Sequence, residues 1–332
     1  MDINHIQSAH CESGVIVNML AYNGLKLSEP MIFGIGSGIF FIHLPFIEVN
    51  GVPVSNFRIW PGGIFSRSMK LIGAKVKTQK FRSVQKSMDV LDELLSKKIP
   101  VGVMCSVYYL PYLPDAYRFH FNAHNIVIWA KEGDEYIVGD PTLSEMKRIH
   151  KDDLAKARWA KGFPEPAGKL YYVEKMPEDT PELKDAIRRG IKRTLFLIKS
   201  APLPFIGVKG ICYLAKKIEK YPEKNSERKA LLALGNLIRM QEEIGTGGGG
   251  FRFMYAAFLK EASHLLNNEE LDKLSQELTG IGDKWRDFAY RVAKIIKNRG
   301  SAQDNYQSIA RYLEEIGQSE IAFFKKLGKV KL

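Results

Sequence analysis

"SAHCESGVIVNML", Ser8 to Leu20, sets a histidine and a cysteine side by side and then opens directly into a helical apolar pattern. From Cys11 onward Val15, Ile16, Met19 and Leu20 fall at helical spacing, so the stretch predicts a helix that starts at or just after Cys11 and buries one face. A cysteine there lies in the positive end of the helix dipole, where the thiolate is favoured over the thiol. That is the setting of a nucleophile, and a nucleophile needs a base, which in turn needs a group to orient it.

The rest of the N-terminal half offers both. Short apolar runs that suit strands alternate with turn signals at Pro100–Leu110, His124–Lys131, Glu135–Pro141 and Gly168–Lys175. His124–Lys131 and Glu135–Asp140, joined by a tight glycine-containing turn, predict a hairpin. His124 opens its first strand and Asp140 closes its second, so antiparallel pairing would bring an imidazole and a carboxylate together, facing Cys11. The chain order cysteine, histidine, acid, with the cysteine at the start of the first helix, is the order of papain-like enzymes. Each residue also has a plainer reading. A lone cysteine is most often a small core residue, a histidine at a strand end a satisfied polar group, and Asp140 before Pro141 a turn. Cys105, inside an apolar strand-like run, and Cys212, in a helical stretch, both read as inert.

At 332 residues the chain exceeds one typical core, so two domains are expected. The pattern changes period near Lys175–Glu182. "PELKDAIRRGIKRTLFLIKS" carries Leu183, Ile187, Ile191, Leu195 and Ile198 at helical spacing, with Pro181 suited to a first turn, and further helical patterns follow to the C-terminus. The predicted organisation is α+β: a catalytic domain over 1–177 and an all-helical domain over 178–332. Three cysteines at wide spacings argue against a disulfide framework. No signal-like or membrane-spanning apolar run is present, which points to the cytoplasm and away from a membrane.

The formal net charge is +12; residues up to Lys175 hold 21 basic against 17 acidic side chains, the remainder 28 against 20. That excess suits an acidic partner or a plain solvated surface. No base-reading module accompanies it, which disfavours nucleic acid. His10, Cys11, His120 and His124 could be weighed as metal ligands, but His124 runs straight into a strand-like segment, so no metal site is expected. "GTGGGGFRFMY", Gly245 to Tyr255, could form an anion-binding nest with Arg252 beside it, or a flexible loop. Phe251, Phe253, Met254, Phe258 and Leu259 read as core.

"HCESGVIVNMLAYNGLKLSEPMIFGIGSGIFF", "YYLPYLP", "HFNAHNIVIWAKEGDEYIVGDP" and "GTGGGGFRFMYAAFLKEA" resemble the family of the butirosin-biosynthesis acyltransferase H. The resemblance implies a papain-like N-terminal domain, a helical C-terminal domain, and acyl transfer from the phosphopantetheine thioester of an acyl or peptidyl carrier protein to a small amine. Related papain-fold enzymes of the closthioamide type act as transglutaminase-like amide synthases on diamines. Carried onto this chain, Cys11 matches the nucleophile, His124 the base and Asp140 its orienter. The glutamine that supplies the papain oxyanion donor is replaced: six positions before Cys11 stands His5, leaving Gln7, His10 and the backbone N–H of Cys11 as candidates. No cofactor is implied, since the donor protein carries the phosphopantetheine. A basic face on the 183–199 helix, including Arg188 and Arg189, is expected to dock the carrier, with Arg252 near its phosphate. A cysteine peptidase or amidase, hydrolysing rather than transferring, is the alternative. The acyl group, the amine and the oligomeric state stay open.

Overall fold

Helix α1 (Cys11–Tyr22) begins where the pattern places it, because His10 holds an extended backbone and its imidazole accepts the N–H of Ser13 as an N-cap. In the computed structural model, which describes residues 4–49, 51–179, 182–199, 203–300 and 304–332, every residue from Cys11 to Leu20 is buried. The expectation of one buried face therefore falls short. Ser13, Gly14 and Asn18, outside the apolar stripe, are covered as well. Asn18 explains part of this: its amide donates to Ile6 O at 2.8 Å and accepts from Ile6 N at 2.9 Å, tying residues before the helix along its side. Gly14 explains more. A β-carbon there would come within 2.5 Å of the Pro141 side chain, so only glycine admits this approach of helix to chain.

After α1 come α2 (Glu29–Ile35), β1 (Ile39–Val49), β2 (Val52–Arg58), α3 (Gly63–Ile72), β3 (Lys75–Gln79), α4 (Val84–Ser96) and β4 (Val101–Cys105). Then follow β5 (His124–Glu132), β6 (Glu135–Gly139), β7 (Lys147–His150), α5 (Lys151–Arg158) and β8 (Leu170–Lys175). The remainder is helical: α6 (Leu183–Lys199), α7 (Val208–Glu219), α8 (Tyr221–Lys224), α9 (Glu227–Glu242), α10 (Arg252–Leu266), α11 (Glu269–Ile296) and α12 (Tyr306–Leu327). Pro181, expected to suit the first turn, lies outside the described residues, and α6 begins at Leu183.

The chain divides into two compact units, Met1–Ile32 with Ile64–Glu182, and Phe33–Gly63 with Leu183–Leu332. The first is α+β. Its sheet is antiparallel throughout, in the order β3-β8-β4-β5-β6-β7, with α1 packed on β5 and β4. The four expected strands are β4, β5, β6 and β8; β5 and β6 form the expected hairpin, Glu132 pairing with Glu135 across Gly133 at φ 61°. β4 is buried along its whole length and β5 over its first six residues, so neither shows the alternation of a half-exposed strand.

The second unit corrects the expectation of a single cut after residue 177. The helical stretch α6–α12 is present, but its compact unit also takes up the β1–β2 hairpin from the N-terminal half. The joins are backbone hydrogen bonds: Gly207 N to Phe41 O at 2.8 Å and His43 N to Phe205 O at 3.0 Å. Local periodicity records that β1 is apolar; which core receives it is decided by residues more than 150 positions away. No helix among the described residues is long and apolar enough to cross a membrane.

Candidate active site

Because β5 and β6 are neighbours and antiparallel, the first residue of β5 and the residue just after β6 lie at one end of the sheet. There His124 Nε2 stands 2.8 Å from Asp140 Oδ2, both side chains buried. Asp140 is held on all sides: Thr142 donates to Oδ1 from its N–H at 3.0 Å and its hydroxyl at 2.8 Å, and Tyr112 donates to Oδ2 at 3.2 Å. The His124 ring also hydrogen-bonds Cys11. With Nε2 engaged by Asp140, Nδ1 is the nitrogen that serves the sulfur. Cys11 is the first residue of α1, and Ser8 N–H donating to Pro141 O at 2.7 Å ties the segment before that helix to the residue after Asp140. Thus a sulfur, an imidazole and a carboxylate far apart in sequence converge, each set by a different element.

The electrostatics follow from this packing. Burial is the largest influence on His124 and opposes its charge, but the Asp140 carboxylate and Cys11 together outweigh it, raising the pKa from 6.5 to about 10. Burial likewise penalises the Asp140 carboxylate, yet His124 and Thr142 outweigh that penalty and hold its pKa below the ordinary carboxylate value. The pair is therefore arranged to be imidazolium and carboxylate at neutral pH. Cys105, directly across the ladder from His124, is pushed well above the usual thiol range by burial and then by the nearby Asp140 and Cys11. Cys212, half-buried, is pushed up to about 12 by burial and Glu314. Both match the reading of inert thiols.

The remaining expected site residues behave differently. Gln7 is exposed and its amide donates to Thr142 O at 3.5 Å. His10 uses Nδ1 to cap α1, 3.0 Å from the Ser13 hydroxyl, and its backbone N–H donates to Glu29. His5, at the position of the papain glutamine, places Nε2 2.9 Å from Leu143 O and so braces the segment after Asp140. Arg188 is half-buried and Arg189 exposed on α6, Arg189 pairing with Asp185 at 3.5 Å. Arg252 corrects its expectation. It is 1% exposed, forms a bidentate pair with Glu320 at 2.7 and 2.8 Å, and gives Nη1 to Gly250 O, so its donors are engaged inside the helical unit rather than open to a phosphate. The glycine loop is likewise already occupied by an anion of this chain, Gly249 N–H donating to the Glu242 carboxylate at 3.1 Å. His120, weighed as a metal ligand, stacks on Tyr108 with ring centroids 4.1 Å apart.

Sequence reading missed the supporting residues. Tyr112 and Thr142 seat Asp140; Glu29 accepts the N–H groups of Ala9 and His10, both at 2.8 Å, and the Ser13 hydroxyl at 2.9 Å, fixing the entry to α1. Asn125 donates toward Cys11 Sγ at 3.8 Å. Thr142, two residues after Asp140 in "DPT", was legible as a local side-chain turn. Tyr112 and Glu29 lie in quoted blocks but carry no local signal of their role.

Residues 10–141 match the family model described as Butirosin biosynthesis protein H, N-terminal. Residues 152–327 match the model Domain of unknown function (DUF4872). Among solved structures, a protein described as a C39-like peptidase from Bacillus anthracis is similar at 14% identity and a TM-score of 0.37, over 53% of this chain and 96% of that one. No curated protein matches. The chain belongs to the DUF4872 family, whose model covers more than half of its length, and the residues before that domain are similar to the N-terminal part of butirosin biosynthesis protein H.

Proposed function

We propose that the chain is a cysteine-dependent acyltransferase that forms an amide, taking an acyl or peptidyl group from a carrier-protein thioester and passing it to a small amine through an acyl-Cys11 intermediate. One observation carries this reading: Cys11 starts α1 and shares a buried hydrogen-bonded chain with His124 and Asp140. The family match supports the biosynthetic setting.

The chemistry balances within these groups. With the proton on His124, the Cys11 thiolate attacks the thioester carbonyl and an oxyanion forms at the N-terminal end of α1, where the helix dipole favours negative charge. Gln7 and His10 flank that end and are the side chains proposed to assist. As the tetrahedral centre collapses, the pantetheine thiolate leaves and takes the proton from His124. Neutral His124, oriented by Asp140, then accepts a proton from the amine as its nitrogen attacks the acyl-Cys11 carbonyl. Collapse releases the amide and restores thiolate and imidazolium. Thioester to amide is downhill, so no ATP enters. Water in place of the amine would give hydrolysis, so exclusion of water is what separates a transferase from a peptidase or amidase. The exposed cations of α6, Lys184, Arg189, Lys192 and Arg193 with the half-buried Arg188, are the proposed docking face for an acidic carrier.

Incubation with an acyl-loaded carrier protein and a diamine, followed by intact-protein and product mass, tests the reading. Acyl-enzyme that decays to amide is expected. Free acid as the sole product would favour hydrolysis, and no adduct at all, with Cys11→Ala indistinguishable from the parent, would overturn it.

A further inference from the structure

The residue after the candidate base, Asn125, carries an amide that reaches the sulfur. Asn125 is buried, yet it stands at the sulfur rather than in an apolar layer. Its amide makes three contacts: Nδ2 to Ala123 O at 3.1 Å, Nδ2 to Cys11 Sγ at 3.8 Å, and Oδ1 from the Tyr171 hydroxyl at 2.9 Å. The Ala123 carbonyl can only accept, so the amide atom facing it must be the nitrogen. That assignment leaves Oδ1 toward Tyr171, whose hydroxyl must donate. One amide proton is then fixed on Ala123 O, and the second has the sulfur as its acceptor. Tyr171 is itself buried on β8, with its ring against Phe65 at 4.5 Å between centroids, so the hydroxyl that orients the amide is rigidly placed.

We infer that Asn125 is a further catalytic residue, donating a hydrogen bond to the Cys11 thiolate, and that Tyr171 is the positioning residue that fixes its amide in the donating orientation. This rests on the proposed use of Cys11 as a nucleophile. Two donors then converge on the sulfur from β5: the imidazolium of His124, which supplies charge and a proton, and the amide of Asn125, which supplies neither. The amide cannot protonate the sulfur, so it stabilises the anion without quenching it. The Ala123 carbonyl, 3.9 Å from the sulfur, would accept the proton of a neutral thiol, and the Asn125 amide bridges the same carbonyl and the same sulfur. It offsets the one acceptor that would otherwise favour the thiol. As an acyl group forms on the sulfur, the freed amide proton lies beside the carbon that carries the developing oxyanion. A donor on the strand side thus joins the proposed donors on the segment before α1.

The titratable groups that interact with Cys11 are His124 on β5, Cys105 on β4 and Tyr171 on β8; around them lie Asp140 after β6 and Tyr112 in the loop after β4, with Glu12 in α1 acting on Tyr171 and Glu29 at the start of α2 holding His10. Of these, Asn125 hydrogen-bonds Tyr171 alone, so a shift in Asn125→Ala is read beside that of Tyr171→Phe, which removes the hydroxyl and keeps the amide.

The pH profile of Cys11 alkylation by iodoacetamide, read on the full chain by peptide mass, tests the assignment without any acyl substrate. Asn125→Ala is expected to move the thiolate midpoint up by about one pH unit. Asn125→Asp, which sets a carboxylate against the sulfur, should move it further, and Tyr171→Phe should move it in the same direction by less. Asn125→Gln is expected to recover part of the shift. Circular dichroism of each variant establishes that it folds; should Asn125→Ala fail to fold, Tyr171→Phe, which removes one oxygen, carries the test. A folded Asn125→Ala and Tyr171→Phe with the parent's midpoint would overturn the inference while leaving acyl transfer intact. A shifted midpoint in a chain that forms no acyl-enzyme would do the reverse.

Discussion

Among the described residues each unit buries one ion pair, and the two are built alike but closed differently. In the helical unit Arg252 and Glu320 are both 1% exposed and joined at 2.7 and 2.8 Å; the Trp285 indole donates to Glu320 and Gly250 O accepts from Arg252, so the pair ends on groups that do not titrate. In the α+β unit His124 and Asp140, both buried, meet at 2.8 Å, but this chain runs on to a thiol at the head of a helix. Cost of desolvation is similar in kind for both. What separates them is the last member: Arg252 has nothing to give away, whereas His124 faces a sulfur with which it can exchange a proton. Burial of charge marks architecture in one place and chemistry in the other, and the neighbour at the open end tells them apart.

The comparison breaks if Asp140→Asn and Glu320→Gln do the same thing. Asp140→Asn is expected to lower the rate of Cys11 acylation by a thioester by about a hundred- to ten-thousandfold while the chain stays folded, as loss of the orienting acid does in related triads. The same variant should move the alkaline limb of acylation. In the parent, His124 keeps its proton until about pH 10, so acylation that needs the imidazolium falls as pH passes that value. Without the carboxylate, burial acts with less opposition and the limb moves down. The stability of the pair has the matching sign: His124, raised above its ordinary 6.5, contributes fully below that pH and loses its contribution as pH rises through about 10. Glu320→Gln is the smaller effect on chemistry and the clearer one on stability. It leaves a buried guanidinium without its counter-charge and should cost about 3–5 kcal/mol in denaturant unfolding, with acylation per folded molecule unchanged.

The same contrast accounts for what could be read from the sequence. Cys11, His124 and Asp140 were legible because each stands at the end of an element whose period is local: a helical stripe after Cys11, a hairpin turn at Gly133 between the strands of the other two. Arg252 was misread because "GGGGFR" displays a cation beside a glycine loop, while the carboxylate that takes it lies 68 residues later. The loop's own anion, Glu242, was seven residues from its donor and could have been weighed. The β1–β2 hairpin and the Asn125–Tyr171 pair share the reason for being missed: their partners are set by tertiary packing, and neither strand period nor residue type names them.

The central claim is that one thiol of three is activated by its setting, and limiting iodoacetamide at pH 7 followed by peptide mapping tests it most directly. The account predicts a single carbamidomethyl group, on Cys11, formed at least tenfold more slowly in His124→Ala, with Cys105 and Cys212 unmodified. Labelling of Cys212 ahead of Cys11, or a Cys11 rate indifferent to His124, would contradict it.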